Sequence, residues 1–162
     1  WICKRTPAHC VEALECLGGP GYIEDSIMPR LYREAPLNSI WEGSGNIMCL
    51  DVLRSMFRET AAIPAILTEL KSVRHENILL DGAIDRLVRE LGDPEDLETR
   101  ARQLTELIAL TLQATLLVQH APASVSDAFC ATRLGSHWLG SYGTLPAGTD
   151  FNLILERAMP IG

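Results

Sequence analysis

The residues best suited to chemistry lie between positions 17 and 53, where two glycine-rich turns each lead into a helix. Backbone N–H groups at a helix start point outward and can hold an anion, including a cofactor pyrophosphate. The first turn reads Gly18-Gly19-Pro20-Gly21, and the second Glu42-Gly43-Ser44-Gly45. Neither fits the dinucleotide fingerprint or the P-loop. Glycine also punctuates helices with no ligand present, which on residue type alone is its commoner role. Glu42 sits between Trp41 and Gly43 at the mouth of a helix. A carboxylate beside an aromatic ring in a partly dry site can have its pKa raised and act as a base. The same acid can simply be solvated and favoured by the helix dipole. Arg33 has the fork to clamp a carboxylate or phosphate, or it can pair structurally with Glu34.

Those turns need helices to hold them, and helix signals dominate the chain. Val11, Leu14 and Leu17 recur at helical spacing before the first glycine turn. A short helix is expected from Glu24 to about Tyr32, broken by Pro36 and Asn38. After the second turn, Ser44 is a candidate N-cap for a long amphipathic helix with Ile47, Leu50, Leu53 and Phe57 on one stripe. Pro64 suits the first turn of a helix through Leu70. Leu80, Ile84, Leu87, Val88 and Leu91 form the next stripe, ended by Gly92. Asp93 followed by Pro94 predicts a new helix start, running to about Gln119, with Glu98 and Arg102 one turn apart. A helix over about 125–134, a glycine-rich loop over 135–148 and a last helix capped by Thr149 or Asp150 complete the chain. Six to eight helices joined by short loops make an all-α, up-down bundle.

Composition bounds the function. The chain has 162 residues, 47% apolar and 22% charged, which is globular composition. No window reaches the roughly 18 unbroken apolar residues of a membrane span. Residues 1–60 carry 6 basic and 8 acidic side chains, and residues 61–162 carry 8 and 13. Neither part has the basic excess that phosphate backbones attract. Cys3, Cys10, Cys16, Cys49 and Cys130 have apolar sequence neighbours and are expected as buried thiols in a reducing compartment. The histidines do not cluster with them, so no metal site is expected: His120 suits a helix end and His9 a helix surface. The sequence opens at Trp1-Ile2-Cys3-Lys4-Arg5 as if already inside a helix, and reads as a piece of a longer protein.

Three ordered blocks add to this reading. They are Leu17-Gly18-Gly19-Pro20-Gly21-Tyr22, Pro29-Arg30-Leu31-Tyr32-Arg33-Glu34-Ala35, and Ile40-Trp41-Glu42-Gly43-Ser44-Gly45-Asn46-Ile47. Together they resemble the C-terminal helical domain of acyl-CoA dehydrogenases, and in finer detail an AidB-like branch of the bacterial alkylation-damage response. The match is close over residues 1–56. The resemblance divides the chain into residues 1–60, part of that helical domain with its first helices missing, and residues 61–162, an additional C-terminal helical tail. It implies FAD and an acyl-CoA thioester substrate in the full-length protein, and a cytoplasmic, bacterial setting. The fragment by itself is expected to be inactive. In that likeness Glu42 is the base that takes the α-proton. Ser44 and Asn46 match positions that touch the flavin nucleotide, and Gly43 belongs to the same turn. Gly18 and Gly19 match a turn that contacts the FAD of a neighbouring subunit, and Trp41 lines the flavin or acyl pocket. The likeness also implies a homo-oligomer, commonly a tetramer, and DNA binding by the tail. The tail's net charge of −5 opposes the DNA role unless Arg86, Arg89, Arg100 and Arg102 gather on one face.

Overall fold

The structure, a computed structural model, describes residues 1–41, 43–135 and 140–160. These residues form nine α-helices and one short 3-10 turn, Leu37–Ser39. The helices are α1 (Ile2–Cys16), α2 (Gly19–Tyr22), α3 (Met28–Glu34), α4 (Gly45–Arg58), α5 (Ala62–Lys71), α6 (Ile78–Gly92), α7 (Leu97–His120), α8 (Ala123–Arg133) and α9 (Phe151–Ala158). The all-α architecture matches expectation, with more helices than the six to eight read from the sequence.

α7 organises the fold. Its 24 residues span about 36 Å at 1.5 Å per residue. It buries Ala101, Leu104, Leu107, Leu110, Thr111, Ala114 and Thr115, a face that recurs about once per turn. α4, α5, α6 and α8 all pack against it. α6 contributes Leu80, Ile84 and Leu87, each fully buried, and α5 contributes Leu70. Only four residues separate α6 from α7, and only two separate α7 from α8. Links this short force neighbouring helices to reverse direction. Thr111 is accommodated in the core because its Oγ1 donates to the Leu107 carbonyl at 2.6 Å.

Several local expectations are borne out. α6 ends at Gly92, α7 stops at His120 ahead of Pro122, and Asp150 caps α9 by accepting from the Leu153 N–H at 3.2 Å. His9 is exposed on α1.

Others are corrected. α3 begins at Met28 rather than Glu24, because the preceding residues turn the chain back. Ser26 Oγ donates to the Pro20 carbonyl and accepts from the Met28 N–H, while Glu24 receives both guanidinium nitrogens of Arg33 at 2.7 and 3.1 Å. Arg33 therefore pairs with Glu24, and it is Arg30 that meets Glu34 at 3.2 Å. α7 begins at Leu97, not at Pro94. Residues 93–96 are held as a turn: Asp93 accepts from the Glu95 N–H, and Arg100 donates to the carbonyls of Asp93 and Glu95 and to Glu90 at 2.6 Å. Asp96 takes a left-handed conformation there (φ 51°). Arg102 does not turn to Glu98; it reaches Asn46.

The α4 stripe is also rotated from expectation. Leu53 is buried, and Cys49, Leu50 and Met56 pack beside it, but Ile47 and Phe57 face outward. Val88 of α6 is likewise exposed. Of the five thiols, all free, only Cys130 is buried; Cys3 and Cys16 are exposed. Apolar sequence neighbours do not bury a residue of α1, a helix with no buried position. Burial pushes the Cys130 thiol up from 9.0 to about 11. Its neutral form therefore favours the fold below pH 9, a contribution lost as pH rises through about 11.

α1 rests on α2 and α3 rather than on the core around α7. A second tie comes from Tyr142, whose ring lies 5.1 Å from the Arg5 guanidinium of α1 and 5.6 Å from that of Arg133 in α8. Ile84 is fully buried and Phe57 is 70% exposed. In the 162-residue chain Ile84→Ala is expected to cost about 2–5 kcal/mol. Phe57→Ala should stay within about 0.5 kcal/mol. Urea titration of the two variants checks the pair.

Candidate functional site

The first glycine turn follows directly from the end of α1. Leu17 closes the helix and Gly18 takes a positive φ (63°, with ψ −143°), which glycine adopts without a Cβ penalty. Around Gly18 and Gly19 there is open space, so their backbone is accessible. Gly21, which spacing did not single out, is the tight position. A Cβ there would sit 2.3 Å from the Leu14 carbonyl oxygen, so α2 packs directly onto α1.

The second turn is built by the 3-10 segment and by α4. Trp41 is 66% exposed, and its Nε1 donates to Asn38 Oδ1 at 3.0 Å. Glu42 lies outside the described residues. Gly43 has φ 116°, and a Cβ on it would fall 2.8 Å from the Met48 sulfur. Ser44 is the N-cap residue as expected, but its hydroxyl makes no capping bond. The contrast is Asn77 at the start of α6, whose Oδ1 accepts from the Leu79 and Leu80 N–H groups. The first N–H groups of a helix have no intrahelical acceptor. At α4 the Ser44 hydroxyl stands exposed beside them without capping them.

A cleft of about 370 Å³ opens beside this turn, lined by Lys4, Asn38, Gly43, Gly45, Met48 and Arg102 among others. The Lys4 stem approaches to 3.3 Å of where a Cβ on Gly45 would be. Arg102 Nε donates to Asn46 Oδ1 at 3.3 Å. The sequence did not mark Lys4, and it marked Arg102 only for its charge. Their closeness to the turn is tertiary, set by α1 and α7.

The structure does not bring the two turns together. Lys4, at the start of α1, neighbours the second turn, while Gly18 follows the helix's other end. Fourteen residues of helix separate these points by about 20 Å. Three of the four arginines considered for a DNA-binding face stand beside carboxylates. Arg100 is on Glu90 at 2.6 Å, Arg86 lies 3.9 Å from Glu90, and the Arg89 charge acts on Asp85. Among the described residues, no helix is long and apolar enough to cross a membrane, and no group of three or more His, Cys, Asp or Glu is placed to hold a metal.

Comparison with known proteins fits the two turns into one pattern. The family model of the acyl-CoA dehydrogenase C-terminal domain matches residues 2–57, which span both. The chain is 40% identical to AidB of Escherichia coli strain K12 over 133 residues, 82% of this chain and 24% of AidB. The chain carries an AidB-like acyl-CoA dehydrogenase C-terminal domain. It is also 32% identical to acyl-CoA dehydrogenase family member 11 of Caenorhabditis elegans over 140 residues, 75% of this chain and 23% of that protein. Mitochondrial isovaleryl-CoA dehydrogenase of Arabidopsis thaliana is 36% identical over 56 residues, 35% of this chain and 14% of that enzyme. The chain thus spans about a quarter of the length of the first two relatives. Those two matches extend well past the dehydrogenase domain into the helices around α7, whereas the third is about as long as the domain itself.

Within this domain, Gly43 and Gly19 differ sharply in what they tolerate. Gly43→Ala is expected to destabilise the chain by about 1–3 kcal/mol through its positive φ and the Met48 contact. Gly19→Ala, with open space around it, should change stability by less than about 0.5 kcal/mol. Chemical denaturation of the two variants measures the difference.

Proposed function

We propose that this chain is the C-terminal helical part of an FAD-dependent acyl-CoA dehydrogenase, which removes a proton and a hydride from adjacent carbons of an acyl-CoA thioester. The observation that carries the reading is the second turn, which falls within the match to the dehydrogenase domain. Its residues suit a flavin nucleotide chemically. The α4 N–H groups, the Ser44 hydroxyl and the Asn46 amide are hydrogen-bonding groups suited to phosphate and ribose oxygens. Glycine at position 43 supplies the positive φ of the turn and leaves room for the Met48 side chain. Gly18 and Gly19 offer open backbone, and Trp41 an exposed aromatic face.

The flavin, when bound, supplies the hydride acceptor. Glu42 is the proposed base: its carboxylate takes the α-proton of the thioester. Trp41, its neighbour in sequence, is proposed to line the flavin or acyl pocket. About 20 Å of α1 lies between the two glycine turns, so one chain does not offer both to the same phosphate. That supports a homo-oligomer in which Gly18 and Gly19 serve a neighbouring subunit's flavin.

The division into residues 1–60 and a packed tail, 61–162, is supported by the two longer relatives and by a buried core made almost wholly of tail residues. Exposure of Ile2, Tyr22, Ile27, Ile40 and Phe57 on the dehydrogenase part suits further domains packed there, and an isolated fragment without activity. Five free thiols suit a reducing cytoplasm.

Glu42→Gln in the full-length protein should lower dehydrogenase turnover by about 10²–10⁴-fold. Visible flavin absorbance should be retained. Unchanged turnover would overturn the role of Glu42, and full-length protein purified without flavin would overturn the whole reading.

A further inference from the structure

We propose that Arg102, a residue of the tail helix α7 and outside the dehydrogenase domain, is a positioning residue for the cofactor turn through Asn46. The inference rests on the reading of Asn46 as a flavin-nucleotide contact. Arg102 Nε donates to Asn46 Oδ1 at 3.3 Å, and Asn46 is the second residue of α4. Arginine has donors only, so the amide must present its oxygen to the guanidinium. That fixes which way the amide faces. Its NH2 group is turned away from Arg102 and becomes a donor pair of set orientation at the mouth of α4. An acceptor oxygen of a nucleotide matches it; a free asparagine would present either end.

Two further observations make α7 a firm platform for this contact. Leu53 of α4 is buried against the cluster that contains Ala101 and Leu104 of α7. Ala101 is the residue before Arg102, so the base of the arginine is anchored where its stem emerges. Arg102 also lines the cleft beside Gly43 and Gly45, with Lys4 on the same wall. The tail therefore does more than cover an apolar face: one of its side chains sets the geometry of a group in the cofactor turn.

The test is a double-mutant cycle on flavin affinity in full-length apoprotein, read by quenching of FAD fluorescence, with the melting temperature of each apoprotein as control. Removing a single hydrogen bond of this kind is worth about 2–10-fold in affinity. Asn46→Ala should weaken FAD binding to that extent, and Arg102→Ala by a comparable or smaller factor, with little change in melting temperature because both side chains are exposed. The double variant should bind no more weakly than Asn46→Ala alone. Arg102→Ala with unchanged affinity, while Asn46→Ala weakens it, would overturn the positioning role. An Arg102→Ala effect of full size in the Asn46→Ala background would also overturn it, since the arginine would then act directly on the nucleotide. Loss from neither variant, in protein that still binds FAD, would remove Asn46 from the flavin contacts and the proposal with it. Full-length protein that binds no FAD at all would instead fail the dehydrogenase reading.

Discussion

The buried face of α7 is the constraint on which the structure depends. Four helices pack against this one rod, and the side chains between them are mostly Leu, Ile and Ala. Fully burying a leucine or isoleucine side chain is worth about 1.5–3 kcal/mol. The cluster around Leu80, Ile84, Leu87, Leu104 and Leu107 therefore outweighs the exposed ion pairs, each worth at most about 1 kcal/mol. The polar contacts contribute direction instead. Arg100 fixes where α6 ends and α7 begins, and Asn77 fixes where α6 starts. These local devices set the register with which apolar faces meet.

That arrangement gives the chain an uneven build. Residues that carry the dehydrogenase signature sit at the margin of the core, joined to it by the α4–α7 seam, with α1, α2 and α3 packed on one another. Among the described residues, Arg102 reaches this margin at Asn46, and Tyr142 lies beside Arg5 and Arg133. The two glycine turns are thus presented on a scaffold whose stability is generated elsewhere. Exposed apolar residues on the margin mark surface that the α7 core does not cover.

Much of this was legible in the sequence, because the decisive signals were local. Gly92 and Pro122 stop helices through their own backbone chemistry, Asp150 starts one with its side-chain carboxylate, and Leu80, Ile84 and Leu87 announce their shared face by spacing. The ordered glycine blocks pointed to the family, which the comparisons bear out. What misled was tertiary. The Ile47 and Phe57 positions fit a helical stripe, but a stripe does not say which neighbour is present to cover it. Asp93-Pro94 spells a helix start, and Arg100 overrides it by holding those residues as a turn. Arg33 chose Glu24, nine residues back, over its sequence neighbour. Lys4 and Arg102 beside the second turn carry no spacing signal at all, since they arrive there on two different helices.

Hydrogen–deuterium exchange on the 162-residue chain tests this uneven build most directly. The account predicts that amides in the middle of α7, around residues 104–114, exchange slowest, together with those of α6, and that α1, α2 and α3 exchange well ahead of them through local opening. Protection of α1 equal to that of α7 would contradict it, by showing that α1 and the helices around α7 share one cooperative core.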